Sequence, residues 1–282
     1  MSSAKTRQNI AFFILGLATL VVVVPIIFTI IYVTIKGIGA VNWEFLTAEP
    51  RDGMKEGGIF PAIVGTIALV IGTMFFSLPL GVLAAIYLVE YAKDNFFTRL
   101  IKLCVVNLSG VPSIVYGLFG FGLFVLLLNL GKSIIAGSLT LAIMSLPVII
   151  TATKEALETV PASFREISLS LGATKWQTIR NCVLPYAVPG ILTGTVLSLS
   201  RAAGETAPIL FTVVCFWMSY LPQSAFDQAM ALPYHLYTIA TQVPNIPSKI
   251  IFGTAFVLIA IVFLMNLVSI IIRAHFRKKK LW

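Results

Sequence analysis

Six runs of apolar residues, each long enough to cross a bilayer, constrain this chain before any other feature does. A run of about 18 or more apolar residues reads as a spanning helix, because lipid offers no partner to a backbone group that the helix leaves unsatisfied. The runs are Ile10 to Ile35, about Phe60 to Val89, about Leu103 to Leu130, about Ser133 to Thr153, about Val183 to Val214 and about Ile250 to Ile272. The first contains Pro25, is too long for the apolar core of a signal peptide and lacks a convincing cleavage site, so it reads as an uncleaved anchor. The expected fold class is an all-α integral membrane protein with six transmembrane helices in a lipid bilayer. Only 11% of the 282 residues are charged, against about 25% in soluble domains. The net charge of +9 does not point to nucleic acid, because the basic residues gather at the ends of the apolar runs.

That gathering gives the orientation. One side collects Lys5, Arg7, Lys93, Arg99, Lys102, Lys154, Arg165, Lys175, Arg180 and the tail residues Arg273, Arg277, Lys278, Lys279 and Lys280. The other side has Lys36, Arg51, Lys55, Lys132 and Lys249. The richer side is expected to be cytoplasmic, which puts both termini there. On the outer side, residues 36–59 carry Trp43 and then Pro50, Asp52 and Gly53, the pattern of a short interfacial helix followed by a turn. The outer segment 216–249 holds four prolines, and its middle, Ala225 to Thr241, reads as a short helix with Tyr234 and Tyr237 at headgroup level or else as a packed loop.

Within the fifth run, Arg201 and Glu205 are the only charges between Asn181 and Phe226. A charge at the centre of a spanning helix costs about 2.5–3.5 kcal/mol on insertion scales. Residues four apart share a helix face, so the pair can partly neutralise itself, although Arg before Glu is the weaker order. Two readings stay open: a structural brace, or an arginine that faces a polar path or a partner subunit, with an anion as cargo. A planar guanidinium suits the oxygens of an oxyanion. Glycines at 110, 117, 120 and 122 and Pro112 give the third run small packing surfaces and a freed carbonyl.

Catalytic chemistry is absent from the pattern. Cys104, Cys182 and Cys215 form no paired spacing and are expected as free thiols, and His235 and His275 are far apart in sequence. The closest approach to a phosphate-binding loop is Gly131-Lys132-Ser133, with Leu126 where the earlier glycine belongs. No ATPase, metal site or acid–base set is read here, so the chain is not expected to be an enzyme.

The cytoplasmic segment 154–185 is amphipathic and interrupted. Pro161, Ser163, Arg165 and Glu166 open a short helix that Gly172 stops, and a second is expected from about Ala173 to Pro185. Glu166, Gly172, Leu184 and Pro185 stand at the spacing Glu-Ala-Ala, three residues, Gly, nine residues, Ile, one residue, Leu-Pro. This segment resembles the cytoplasmic loop of binding-protein-dependent ABC importer permeases, with Ile167, Ser168 and Cys182 as departures. The resemblance implies that Glu166, Gly172, Leu184 and Pro185 couple the chain to a separate ATPase.

Three further stretches narrow the family. Residues 201–212 read RAAGETAPILFT, residues 109–120 read SGVPSIVYGLFG and residues 57–66 read GGIFPAIVGT. They resemble helix motifs of phosphate-specific ABC permeases, and the Ala-Ala after Arg201 and Ala-Pro after Thr206 resemble the PstA-type rather than the PstC-type chain. The resemblance implies a type I, MetI-like permease architecture in a bacterial cytoplasmic (inner) membrane. It implies a PstC-type second permease, an ATPase dimer that carries the ATP and Mg, and an extracytoplasmic phosphate-binding protein, with no cofactor in this chain. Arg201, Glu205 and Ser113 are the candidate residues of a substrate path. The expected organisation is an anchor and outer connection (1–59), a permease core (60–273) and a basic tail (274–282). Alternatives within the class are importers of sulfate, molybdate or a phosphonate. Outside it stand an ion-coupled secondary transporter, for which no second half repeats the first, and a membrane-anchored receptor or scaffold.

Overall fold

The computed structural model describes residues 2–218 and 220–278; Lys279 and Lys280 of the basic tail lie outside the described residues. α1 (Ser2–Gly37) is one 36-residue helix that Pro25 does not break. The outer connection holds α2 (Trp43–Thr47), whose N-terminus is capped by the Asn42 side chain accepting from the Phe45 N–H at 2.7 Å, and an antiparallel pair of short strands, β1 (Pro50–Arg51) and β2 (Glu56–Gly57). α3 (Phe60–Ile86) follows and ends in a π-helical turn, Tyr87–Tyr91.

The third apolar run is not one helix as the sequence suggests. It folds as α4 (Phe96–Ser109) and α5 (Ser113–Gly120), which meet at 107°, and α5 runs on through a π-helical turn at Phe121–Leu127. Pro112 causes the break. Its ring disfavours helical geometry at Val111 and it has no N–H to continue the ladder. The hydroxyl of Tyr116 donates to the Leu108 carbonyl at 2.7 Å, across the bend, and so satisfies an acceptor at the end of α4. Counting the bent pair as one span, the described residues hold six membrane-crossing elements.

α6 (Ile134–Glu158) is longer than expected, so residues 154–158 of the segment 154–185 continue a spanning helix. α7 (Ala162–Ser170) is the first short helix of that segment. The second is not separate: α8 (Lys175–Thr178) passes through a π-helical turn, Ile179–Val183, into α9 (Leu184–Gly204). Pro185 cannot give an N–H to the Asn181 carbonyl, and the widened turn absorbs that gap without ending the helix.

The fifth run also breaks. α9 stops at Gly204, Glu205 is extended (φ −75, ψ 133), and α10 (Ala207–Thr212) begins afresh. Pro208 would sit over the Gly204 carbonyl in a continuous helix, and its ring and missing N–H forbid that. Segment 216–249 forms α11 (Leu232–Thr241), shorter than the 225–241 expected. It tucks into the protein: Tyr234 and His235 are buried, while Tyr237 is exposed. Burying one face of this helix against α3 frees Thr66 to receive it, its hydroxyl accepting the Leu232 N–H at 2.8 Å. α12 (Ser248–Lys278) closes the fold and packs on α1 and α9.

The core is built by α3, α6 and α9 lying side by side. At the end of the three that adjoins segment 154–185, Ile86, Leu157, Val160, Ile179, Val183 and Ile191 form one buried apolar cluster. Each such side chain contributes roughly 1.5–3 kcal/mol when taken out of water, so segment 154–185 rests on a solid base.

Candidate functional site

Arg201 occupies the last turn of α9, where the carbonyl end of the helix dipole favours a cation. Its Nε lies 3.1 Å from Glu205 Oε1. The pairing expected from the sequence is present, but its basis differs: Glu205 is past the helix end, so the break, not a shared helix face, brings the carboxylate to the guanidinium. Nor is the pair buried as a unit. The Arg201 side chain is 52% exposed and that of Glu205 16%. Among the described residues, the Nε bond is the only hydrogen bond of the guanidinium, which leaves Nη1 and Nη2 available.

Arg201 borders a groove of about 590 Å³ between α9 and α12, lined also by Ser200, Glu205, Val262, Phe263 and Asn266 among others. Asn266 was not singled out in the sequence, although it is the one amide in the sixth apolar run. The Ser200 hydroxyl donates to Asn266 Oδ1 at 2.7 Å, which leaves the amide N–H groups of Asn266 for the groove. On its inner side, Glu205 borders a small cavity of about 10 Å³ with Thr66, Leu141 and Ala231. A half-exposed arginine on a spanning element is costly against lipid; a partner protein or a water-filled path is the economical neighbour.

α5 supports this site. At Gly117 a Cβ would lie 2.9 Å from the Ala207 carbonyl oxygen and 3.0 Å from Pro208 Cα, so glycine is what lets α5 press on the segment just beyond the break. Ser113 opens α5 and is half-buried, but it does not line the Arg201 groove. Of the four glycines marked in the sequence, Gly117 and Gly120 make close contacts, Gly110 caps α4, and Gly122 has open space around it.

At the other end, the coupling candidates form a compact knob. Gly172 sits between α7 and α8 at φ +83, with nothing within 4 Å of where a Cβ would stand. The Ala173 N–H donates to Ser168 O at 3.2 Å and the Gly172 N–H to Leu169 O at 3.0 Å. This pairing closes a helix through a left-handed residue. Thr174 and Gln177 then cap α8 reciprocally. Glu166 is exposed, and so are the apolar side chains of Ile167 (60%), Leu171 (83%) and Trp176 (49%). Leu184 turns inward onto the apolar cluster beneath, and Pro185 lies in the first turn of α9. Leu184 and Pro185 at the start of α9 and Arg201 near its end thus stand at opposite ends of one helix, with Glu166 and Gly172 in the segment that leads into it.

Comparison with known proteins agrees with this architecture. Residues 77–281 match the family described as "Binding-protein-dependent transport system inner membrane component". The chain is 31% identical over 278 residues to the probable ABC transporter permease protein YqgI of Bacillus subtilis, covering 94% of each chain. It is 35% identical over 268 residues to the phosphate transport system permease protein PstA of Mycobacterium leprae, covering 93% of this chain and 87% of that one. Among solved structures, the inward-facing MetNI methionine ABC transporter is similar in fold, with a TM-score of 0.59 at 16% identity over 77% of this chain and 97% of that one. The bacterial alginate ABC transporter in complex with its alginate-loaded periplasmic protein reaches 0.67 at 14% identity, over 93% of each chain. A helical membrane core that the family model matches over residues 77–281, and that these relatives match along most of its length, identifies one family: the chain belongs to the binding-protein-dependent inner membrane components, the permeases of ABC transporters.

Proposed function

We propose that the chain is a PstA-type permease subunit that passes inorganic phosphate through the membrane, driven by a separate ATPase docked on the knob around Gly172. The observation that carries this reading is the break at Glu205. It lets the carboxylate take Nε of Arg201 while Nη1 and Nη2 keep no hydrogen-bond partner among the described residues, in a side chain that lines the groove. A fork of two N–H donors fits a pair of phosphate oxygens. The adjacent carboxylate weakens the hold on an anion, which a path residue needs if cargo is to leave. The relatives named PstA supply the substrate class, and they leave the ion-coupled alternative without support.

The partners follow from the same reading. A PstC-type permease covers the open face of Arg201, an ATPase dimer receives Ile167, Leu171 and Trp176, and a phosphate-binding protein docks outside. ATP and Mg belong to the ATPase, and this chain does no hydrolysis of its own. The excess of positive residues on one side supports a cytoplasmic position for both termini and the knob. Reconstituting the chain with these partners in proteoliposomes tests the reading. Phosphate-loaded binding protein should stimulate ATP hydrolysis, whereas sulfate, molybdate and a phosphonate should not. Stimulation by one of those anions without any by phosphate would overturn it.

A further inference from the structure

The knob has a second attachment. Arg165, in the first turns of α7, reaches Glu90 in the π-helical turn that ends α3, with Nη2 at 2.7 Å and Nε at 3.0 Å from the same carboxylate oxygen. Its Nη1 also donates to the Val160 carbonyl at 2.8 Å, and Nη2 to the Leu157 carbonyl at 3.0 Å. Every nitrogen of the guanidinium is therefore engaged, and the pair is shielded, with Glu90 8% and Arg165 22% exposed. The other half of the knob touches the same turn: Lys175 Nζ stands 5.0 Å from the ring centre of Tyr91.

The geometry is that of a latch. α6 and α9 are joined to the knob by the chain itself, whereas α3 has only non-covalent ties to it. Its apolar ties, Ile86 and Val89 in the cluster with Ile179 and Val183, are non-directional and permit slip. A fork fixed on one carboxylate and two carbonyls near the end of α6 does not slip, because any shift strands a shielded charge. α3 in turn leads to Thr66, which holds the start of α11 and lines the cavity beside Glu205. We infer that Arg165 and Glu90 are positioning residues that make α3 move with the knob, so that events at the ATPase reach the Arg201–Glu205 break through α3 as well as along α9.

This inference rests on the proposed coupling role of the knob. Its test is Glu90→Gln and Arg165→Lys in the reconstituted complex, each compared with wild type for ATPase co-purification, basal hydrolysis, stimulated hydrolysis and uptake. Glu90→Gln keeps the shape but removes the charge, and Arg165→Lys keeps the charge but removes the fork. Both should co-purify with the ATPase and lose about tenfold in stimulation and uptake relative to basal hydrolysis. Wild-type stimulation in both would overturn the latch. So would loss of the ATPase from both complexes, since that would make the pair a brace for the knob alone. Wild type responding to a different anion would refute the phosphate reading and still allow the latch to be judged with that anion. A wild-type chain that does not retain an ATPase would refute the coupling reading first.

Discussion

Gly172 separates strain from crowding, and the separation can be measured. Its φ is +83, and a Cβ there would meet nothing within 4 Å. Crowding therefore predicts that any small side chain is accepted. Strain predicts otherwise: the left-handed region costs an L-residue about 1–2 kcal/mol. A penalty of that size shifts the balance between the bent and unbent knob by roughly 5–30-fold. Asn tolerates the region better than Ala, and a β-branched residue tolerates it least. The expected order of stimulated ATP hydrolysis in reconstituted complexes is Gly172, then Gly172→Asn, Gly172→Ala and Gly172→Val, with Ala down by several-fold and Val by more. Membrane insertion and expression should hold throughout, because the turn lies outside the spanning elements. The same series should weaken co-purification of the ATPase in the same order. Wild-type stimulation and assembly with both Ala and Val would refute the strain argument and, with it, the coupling role given to the turn.

Other perturbations read other parts of the molecule. Arg201→Lys should assemble and yet lose most phosphate uptake, since the fork is gone; the double change Arg201→Leu with Glu205→Leu should assemble without transporting, and wild-type uptake in it would leave only a brace. Burial holds the His235 imidazole at about 4 instead of its ordinary 6.5. The unfolded chain therefore takes up a proton that the folded chain refuses, and stability present above pH 6.5 should fall by up to about 3 kcal/mol as pH drops toward 4; thermal unfolding in detergent should show a shallower pH slope in His235→Leu, and an equal slope would contradict the burial argument. At Gly120 a side chain would collide with Thr140, so Gly120→Val should cost about 1–3 kcal/mol, with Thr140→Ala in the same chain recovering part of the melting temperature. Single cysteines at Asp52 and Lys278, in a chain freed of its own three, should label from opposite faces of intact cells, Lys278 only from the cytoplasm; labelling of the Lys278 site from outside would overturn the topology.

The spanning helices were legible because their signal is collective. Eighteen or more apolar residues in a row have few alternatives in lipid, so the number and order of spans survive errors at any one position. The breaks were not, although Pro112 and Pro208 were in plain view. A proline in an apolar run leaves its helix straight, kinked or divided according to what neighbouring segments offer the freed carbonyls. Pro25 lies in a helix that stays whole, and Pro112 lies where Tyr116 can reach back to Leu108. That difference is tertiary, and no local pattern encodes it.

The same distinction explains which site residues could be read early. Arg201 and Glu205 stood out because a charge in an apolar run is expensive wherever it points. Glu90 and Arg165 sit at the polar margin of the membrane, where charges are common, and only their meeting across the fold gives them meaning. Asn266 escaped for the opposite reason: a single amide in a long apolar helix is cheap enough to be ordinary packing until Ser200 and Arg201 are found beside it. What the sequence reports well is cost. The cost of Glu90 is offset by Arg165, far away in sequence, whereas that of Arg201 is offset nearby, by Glu205 once the break at Pro208 has turned the chain. A search for permease sites should therefore begin from charges whose offset is not local and ask which element supplies it.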